Sequence, residues 1–152
     1  MLRRIVLGLA VGVLSATTAF AQAAPAAAAS PFAFPGDGGV ILNFVKADKA
    51  ADFEMVLGKL KEGLAKSEKA ERKAQAAGWK VFKAAEPGPS GAVIYVYVMD
   101  PVAKGVVYSV GDILVETLGA EGSALYNTYS ASFGTPAIGA LLHMTQVIDF
   151  GK

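Results

Sequence analysis

The chain reads as an α+β protein of the ferredoxin-like kind, β-α-β-β-α-β, with one antiparallel sheet and both helices on one of its faces. Three observations predict this. A β-branched, apolar run at 40–45 is followed at once by apolar residues at helical spacing. Two runs rich in aromatic and β-branched residues, 79–84 and 92–99, flank the turn cluster Pro87-Gly88-Pro89-Ser90-Gly91, as the strands of a hairpin do. A second helical pattern then leads to a last apolar run at 141–150.

Each element has its own signal. Gly38 and Gly39 precede the first strand, and Asp48 is placed to cap a helix whose Phe53, Val56, Leu57, Leu60 and Leu64 share one face. Ser67 restarts a short polar helix through Glu68, Glu71 and Lys73, which Gly78 is placed to end in the left-handed conformation. Ser109, with Asp112 three residues on, resembles a capping box. The helix it opens runs through Ile113, Leu114, Leu118, Leu125, Tyr126, Tyr129 and Phe133, with Gly119 and Gly122 as points of kinking or breakage. Residues 134–139 read as a loop because Gly134, Pro136 and Gly139 punctuate them.

Ahead of the domain, Arg3-Arg4, an apolar run at 5–14 and the small residues Ala19 and Ala21 form the three-part pattern of a secretory signal, cut before Gln22. The apolar run is too short for a membrane anchor, which needs about 20 sustained residues, so no stable membrane insertion is expected after cleavage. The predicted division is a signal peptide at 1–21, an Ala/Pro/Gly-rich tether at 22–39 and the folded domain at 40–152, in the periplasm or outside the cell. Losing Arg3 and Arg4 takes the formal charge from +1 to −1, which leaves no footprint for nucleic acid. The absence of cysteine excludes disulfides, thiolate catalysis and cysteine-held metals.

Catalytic motifs are as scarce. No G-x-S-x-G elbow occurs, and Gly36-Asp37-Gly38-Gly39 lacks the lysine and helix of a phosphate loop. One histidine, His143, excludes a histidine-rich metal site within one subunit, and no cofactor is expected. Lysine is concentrated at 46–83, where glutamates interleave with it as on a solvated face. Trp79, Tyr126 and Tyr129 read as packing residues.

The strands are apolar on both sides, with Val40, Leu42 and Phe44 alternating with Ile41, Asn43 and Val45, and Ile94, Val96 and Val98 alternating with Tyr95 and Tyr97. A sheet covered by helices on one face should turn polar residues to water on the other. Since these strands do not, a second layer is expected, and a second copy of the chain supplies it most economically. The segment from Val40 to Lys49, an apolar strand and then a turn bearing both charges, leads into a helix with the early Phe53 and then Leu60; in this the chain resembles the dimeric α+β barrel superfamily. The resemblance implies two ferredoxin-like subunits pressing open sheet faces together.

By alternation Asn43, Tyr95, Tyr97, His143 and Thr145 share one sheet face, expected to be the open one. They are the candidate lining of a pocket for a small apolar or aromatic ligand. His143 with a tyrosine is also the candidate acid or base of a cofactor-independent monooxygenase or isomerase, reaction types that occur in that superfamily. A third reading is an interaction module of the cell envelope without a pocket.

Overall fold

A computed structural model of the chain describes residues 30–151, so the expected signal peptide at 1–21 lies outside the described residues. The fold is α+β: four antiparallel strands in one sheet and four helices. In chain order these are β1 (Gly38–Val45), α1 (Ala50–Lys66), α2 (Ala70–Gly78), β2 (Trp79–Pro87), β3 (Val93–Met99), α3 (Val110–Leu118), α4 (Ala120–Ala131) and β4 (Phe133–Met144). The strands lie in the order β2-β3-β1-β4, leaving β2 and β4 at the edges. No described helix is long and apolar enough to cross a membrane.

The apolar spacing of α1 is realised as written, with Phe53, Val56, Leu60 and Leu64 buried. Its start differs from expectation: Asp48 sits in a 3-10 turn at Ala47–Lys49, and Lys49 occupies the cap position without a side-chain cap bond. Gly78 does end α2, but by close approach rather than by a left-handed backbone, since a Cβ there would run into the carbonyl of Pro101. Ser109 caps α3, its Oγ accepting from the Asp112 amide at 3.3 Å. The long helical pattern after it is two helices, broken at Gly119, whose φ of 60° and ψ of −126° suit glycine alone. Gly122 then lets α4 close on α3, because a Cβ would meet the Leu114 carbonyl.

Two boundaries move. The tether expected at 22–39 is folded over its last ten positions: Phe34 is buried, Ala33 bridges Val107, and the Tyr108 amide donates to the Phe32 carbonyl. The last strand begins at Phe133 rather than 141 and ends at Met144 rather than 150, so the loop expected at 134–139 is strand. The position of β4 at the sheet's edge explains this. Pro136 removes no hydrogen bond from a second neighbour there. Gly139 is required because the Phe44 ring occupies the place of a Cβ, close to the register shift opposite Leu42 and Asn43.

The core is an aromatic stack between the sheet and the helices. The Phe53 ring of α1 lies 4.7 Å from Tyr95, 5.2 Å from Tyr129 of α4 and 5.7 Å from Phe133, measured between centroids. Trp79 meets Tyr97 and Tyr108 edge-on at 5.6 and 5.3 Å, geometries that aromatic quadrupoles favour. The helices therefore cover the face bearing Ile41, Asn43, Val45, Tyr95, Tyr97 and Met99, all buried. The opposite face carries Val40, Leu42, Phe44, Ile94, Val96 and Val98, which no helix covers; Phe82 and Leu142 beside them are 54% and 51% exposed.

A polar clamp holds α2 against α3. The Arg72 guanidinium forks onto Glu116 at 2.8 and 3.0 Å and donates to the Gln75 amide oxygen at 2.6 Å, while Gln75 donates to the Val107 carbonyl. The Arg72 bonds, helped by Lys69, hold the Glu116 carboxyl down at about 2 from its ordinary 4.5. A carboxyl depressed on folding adds stability above its unfolded pKa and loses it as the pH falls toward its folded one. Glu116→Gln is therefore expected to flatten the fall in stability between about pH 5 and pH 2. Urea midpoints across that range check this; parallel curves for the two proteins would refute it.

Candidate functional site

The candidate residues divide into three groups. Asn43 and Tyr97 line one cavity of about 250 Å³ between the sheet, α3, α4 and β4. Tyr95 shares their face, yet its hydroxyl is taken by the Glu54 carboxylate at 2.5 Å, which also accepts from Lys83 at 3.0 Å. Burial, and then Glu54, push the Tyr95 phenol well above its ordinary value, so it is a proton donor committed to Glu54. His143 and Thr145 are exposed and elsewhere: His143 tilts against the Phe34 ring at 5.0 Å, and Thr145 lies beyond the end of β4.

The expected face was thus the helix-covered one, not the open one, and the five residues do not converge. Register supplies the reason for His143. It sits opposite Gly39, whereas Asn43 faces Ile138. Asn43 lies four strand positions from Gly39, about 13 Å at the rise of a strand, so His143 is set apart from Asn43 along the sheet.

The cavity is walled by Phe32, Ile41, Tyr108, Tyr126 and Phe133 in addition to Tyr97 and Tyr129. Sequence reading assigned Tyr126 and Tyr129 to packing. Tyr129 is indeed buried, but Tyr126 is 44% exposed and lies over Gly111, where a Cβ would press on its ring. Their three-residue spacing on α4 was the available signal, since it places both on one side of the helix.

The residues lining this space bring the Asn43 amide and the hydroxyls of Tyr97, Tyr108, Tyr126, Tyr129, Ser109 and Ser130. The hydroxyls of Tyr97 and Tyr129 stand 3.2 Å apart and share one hydrogen bond, which leaves hydrogen-bonding capacity over, since each hydroxyl both donates and accepts. Burial raises both phenols, Tyr129 to about 12, so both stay neutral at ordinary pH. Asn43 is 2% exposed. Its amide nitrogen makes long bonds, 3.4 and 3.5 Å, to the carbonyls of Tyr95 and Ile41, and its amide oxygen accepts none among the described residues. Among the described residues the buried side-chain polar atom left without a partner is Trp79 Nε1, so the Asn43 oxygen is not sealed away and is free to accept from a group that enters the cavity.

A scan against protein-family models, a search of curated proteins and a search of solved structures each find no match to this chain. Chemistry has to be read from the cavity itself. None of the side chains lining it is a carboxylate, a histidine or a lysine, so it contains no group that takes a proton at neutral pH. What its lining offers is aromatic surface, an amide and several hydroxyls. Among the described residues no group of three or more His, Asp or Glu side chains is gathered as metal ligands.

Proposed function

We propose that this is an exported, ferredoxin-like protein that works as a homodimer and binds one small aromatic molecule per subunit, a single ring carrying a hydrogen-bond donor. The observation that carries the binding reading is the unused acceptor of Asn43 at the wall of an aromatic cavity. At about 250 Å³ the space is below the 300–1,000 Å³ typical of drug-sized ligands. It is above the 150 Å³ or so that suffices for benzene. A phenol fits both the volume and the acceptor.

Binding is favoured over turnover because the lining holds no base. The strand order, with a helical segment following β1 and β3, supports the ferredoxin-like assignment. Pairing of two open sheet faces is supported by the uncovered apolar row from Val40 to Leu142, which a second copy would remove from water. The leader pattern supports export, to the periplasm or beyond it.

Phenol and toluene separate ring burial from hydrogen bonding. Phenol is expected to bind with a Kd on the order of 10⁻⁴ M, and toluene about tenfold more weakly, the worth of one net hydrogen bond. Asn43→Ala should bring the two to equal affinity. Calorimetric titration of both proteins reads this; equal affinities in the unaltered protein, or no binding of either ring, would overturn the proposal.

A further inference from the structure

A second apolar hollow lies between α1, the end of α2 and the edge strand β2, a groove of about 540 Å³, inside the roughly 300–1,000 Å³ range of small-molecule sites. Leu57, Gly58, Lys61, Leu64 and Ala65 form its helical side, positions three and four apart that make one stripe about 12 Å long. Ala76 of α2 and Trp79 and Val81 of β2 close the other side. No residue lines both this groove and the aromatic cavity.

Two features of the stripe have no explanation in the packing of the subunit. The first is Gly58, in the interior of α1, where glycine weakens a helix relative to alanine. Gly63 of the same helix is required, since a Cβ there would strike Thr117 of α3, but a Cβ at Gly58 would meet nothing within 4 Å. The space it leaves is part of the groove. The second is Lys61. Lys59 pairs with Glu62 and Glu121 at 3.7 Å, and Lys83 with Glu54 at 3.0 Å, whereas among the described residues Lys61 forms no ion pair. Its neighbours three and four positions away are Leu57, Gly58, Leu64 and Ala65, and no carboxylate lines the groove. Glu54 lies beyond Leu57 and Val81, already bonded to Lys83 and Tyr95.

We propose that this groove binds an amphipathic carboxylate with a linear aliphatic chain, of the medium-chain fatty-acid kind, the chain lying along α1 and the carboxylate meeting the Lys61 ammonium. The length and the leucine, alanine and valine lining suit an extended chain rather than a compact ring. Gly58 leaves room for it, and Lys61 supplies the charge opposite while its stem adds to the apolar wall. Burial of the chain supplies most of the affinity and the ion pair at the open rim a smaller share. The site requires neither a ligand in the aromatic cavity nor a second subunit.

Trp79 is the chain's single tryptophan and borders the groove, so its fluorescence reports occupancy. Titration of the full chain with decanoate is expected to change Trp79 emission saturably, with affinity rising about fivefold for each two methylenes from octanoate to dodecanoate. Gly58→Leu fills the groove: its thermal midpoint is expected to rise by about 3 °C, as helix propensity dictates, while decanoate binding falls at least tenfold. Lys61→Met keeps an apolar stem, and is expected to weaken decanoate about fourfold while leaving decanol, the same chain without the charge, unaltered. Asn43→Ala, in the other cavity, should leave decanoate affinity as it is. Absence of saturable binding, a Gly58→Leu protein that binds as before, or equal effects of Lys61→Met on decanoate and decanol overturn the proposal. A loss of decanoate binding in Asn43→Ala puts the chain in the aromatic cavity and overturns it as well.

Discussion

Val96→Glu is expected to leave a folded monomer, undoing the face-to-face pairing proposed above, whereas Tyr97→Glu, one residue further along the same strand, is expected to abolish the fold. Val96 lies on the uncovered face, in register with Leu42 of β1 and Phe82 of β2. In an isolated subunit a glutamate there reaches water, and the effect on unfolding should stay within about 1 kcal/mol. In the proposed face-to-face dimer the same carboxylate would be buried in an apolar contact. That costs several kcal/mol and raises the dissociation constant by about a thousandfold or more.

Tyr97 points the other way. It is 1% exposed, packed edge-on against Trp79 and joined to Tyr129 by its hydroxyl. Placing a charge there removes an aromatic wall and buries an unpaired carboxylate, a combination that exceeds 4–5 kcal/mol, a large share of the roughly 5–15 kcal/mol available to a domain. Size-exclusion chromatography with circular dichroism on both variants reads the result. A folded Tyr97→Glu protein would contradict the assignment of faces, and a Val96→Glu protein that dimerises as before would contradict the pairing.

This pair of variants also marks where sequence reading stops. Alternation correctly places Asn43, Tyr95 and Tyr97 together, because the period of a strand is set by the backbone. It cannot say which side the helices take when both sides are apolar, and Ile41 and Leu42 carry no sign of their destination. The spacing of Phe53, Val56, Leu60 and Leu64 identified α1 because one face of that helix is apolar and the other is charged. The end of the chain was misread for a local reason. Gly134, Pro136 and Gly139 read as a loop, yet an edge strand tolerates proline, and the glycine at 139 answers to the Phe44 ring of a neighbouring strand. Starting β4 eight residues late placed His143 and Thr145 in a site they do not enter. The tether was misread by composition, which outweighed the two aromatic residues within it, Phe32 and Phe34, that pack with the core.

The candidate cavity was half legible. Asn43 and Tyr97 were picked out because alternation puts polar groups of neighbouring strands on one sheet face. Tyr129 and Tyr126 were passed over because aromatic residues on an apolar helix face ordinarily signify core. Here they do both, since Tyr129 packs against Phe53 and also presents its hydroxyl to the cavity.

That double role makes Phe53→Ala the other variant with a large expected effect. Phe53 is fully buried and its ring touches Tyr95, Tyr97, Tyr129 and Phe133 within centroid distances of 4.7 to 6.4 Å. Truncation leaves a hole among four rings held by two strands and a helix, which cannot collapse to fill it. The expected cost is about 3–5 kcal/mol, or a fall of some 15 °C in thermal midpoint. Phe53→Leu, which keeps most of the volume, should cost well under half as much. The same hole adjoins Tyr129, so the alanine variant should also bind phenol less tightly, the hydroxyl pair no longer being held from behind. Denaturation and titration on the two variants separate these effects. A loss below about 1 kcal/mol for Phe53→Ala would mean that the aromatic stack is not what holds the helices on the sheet.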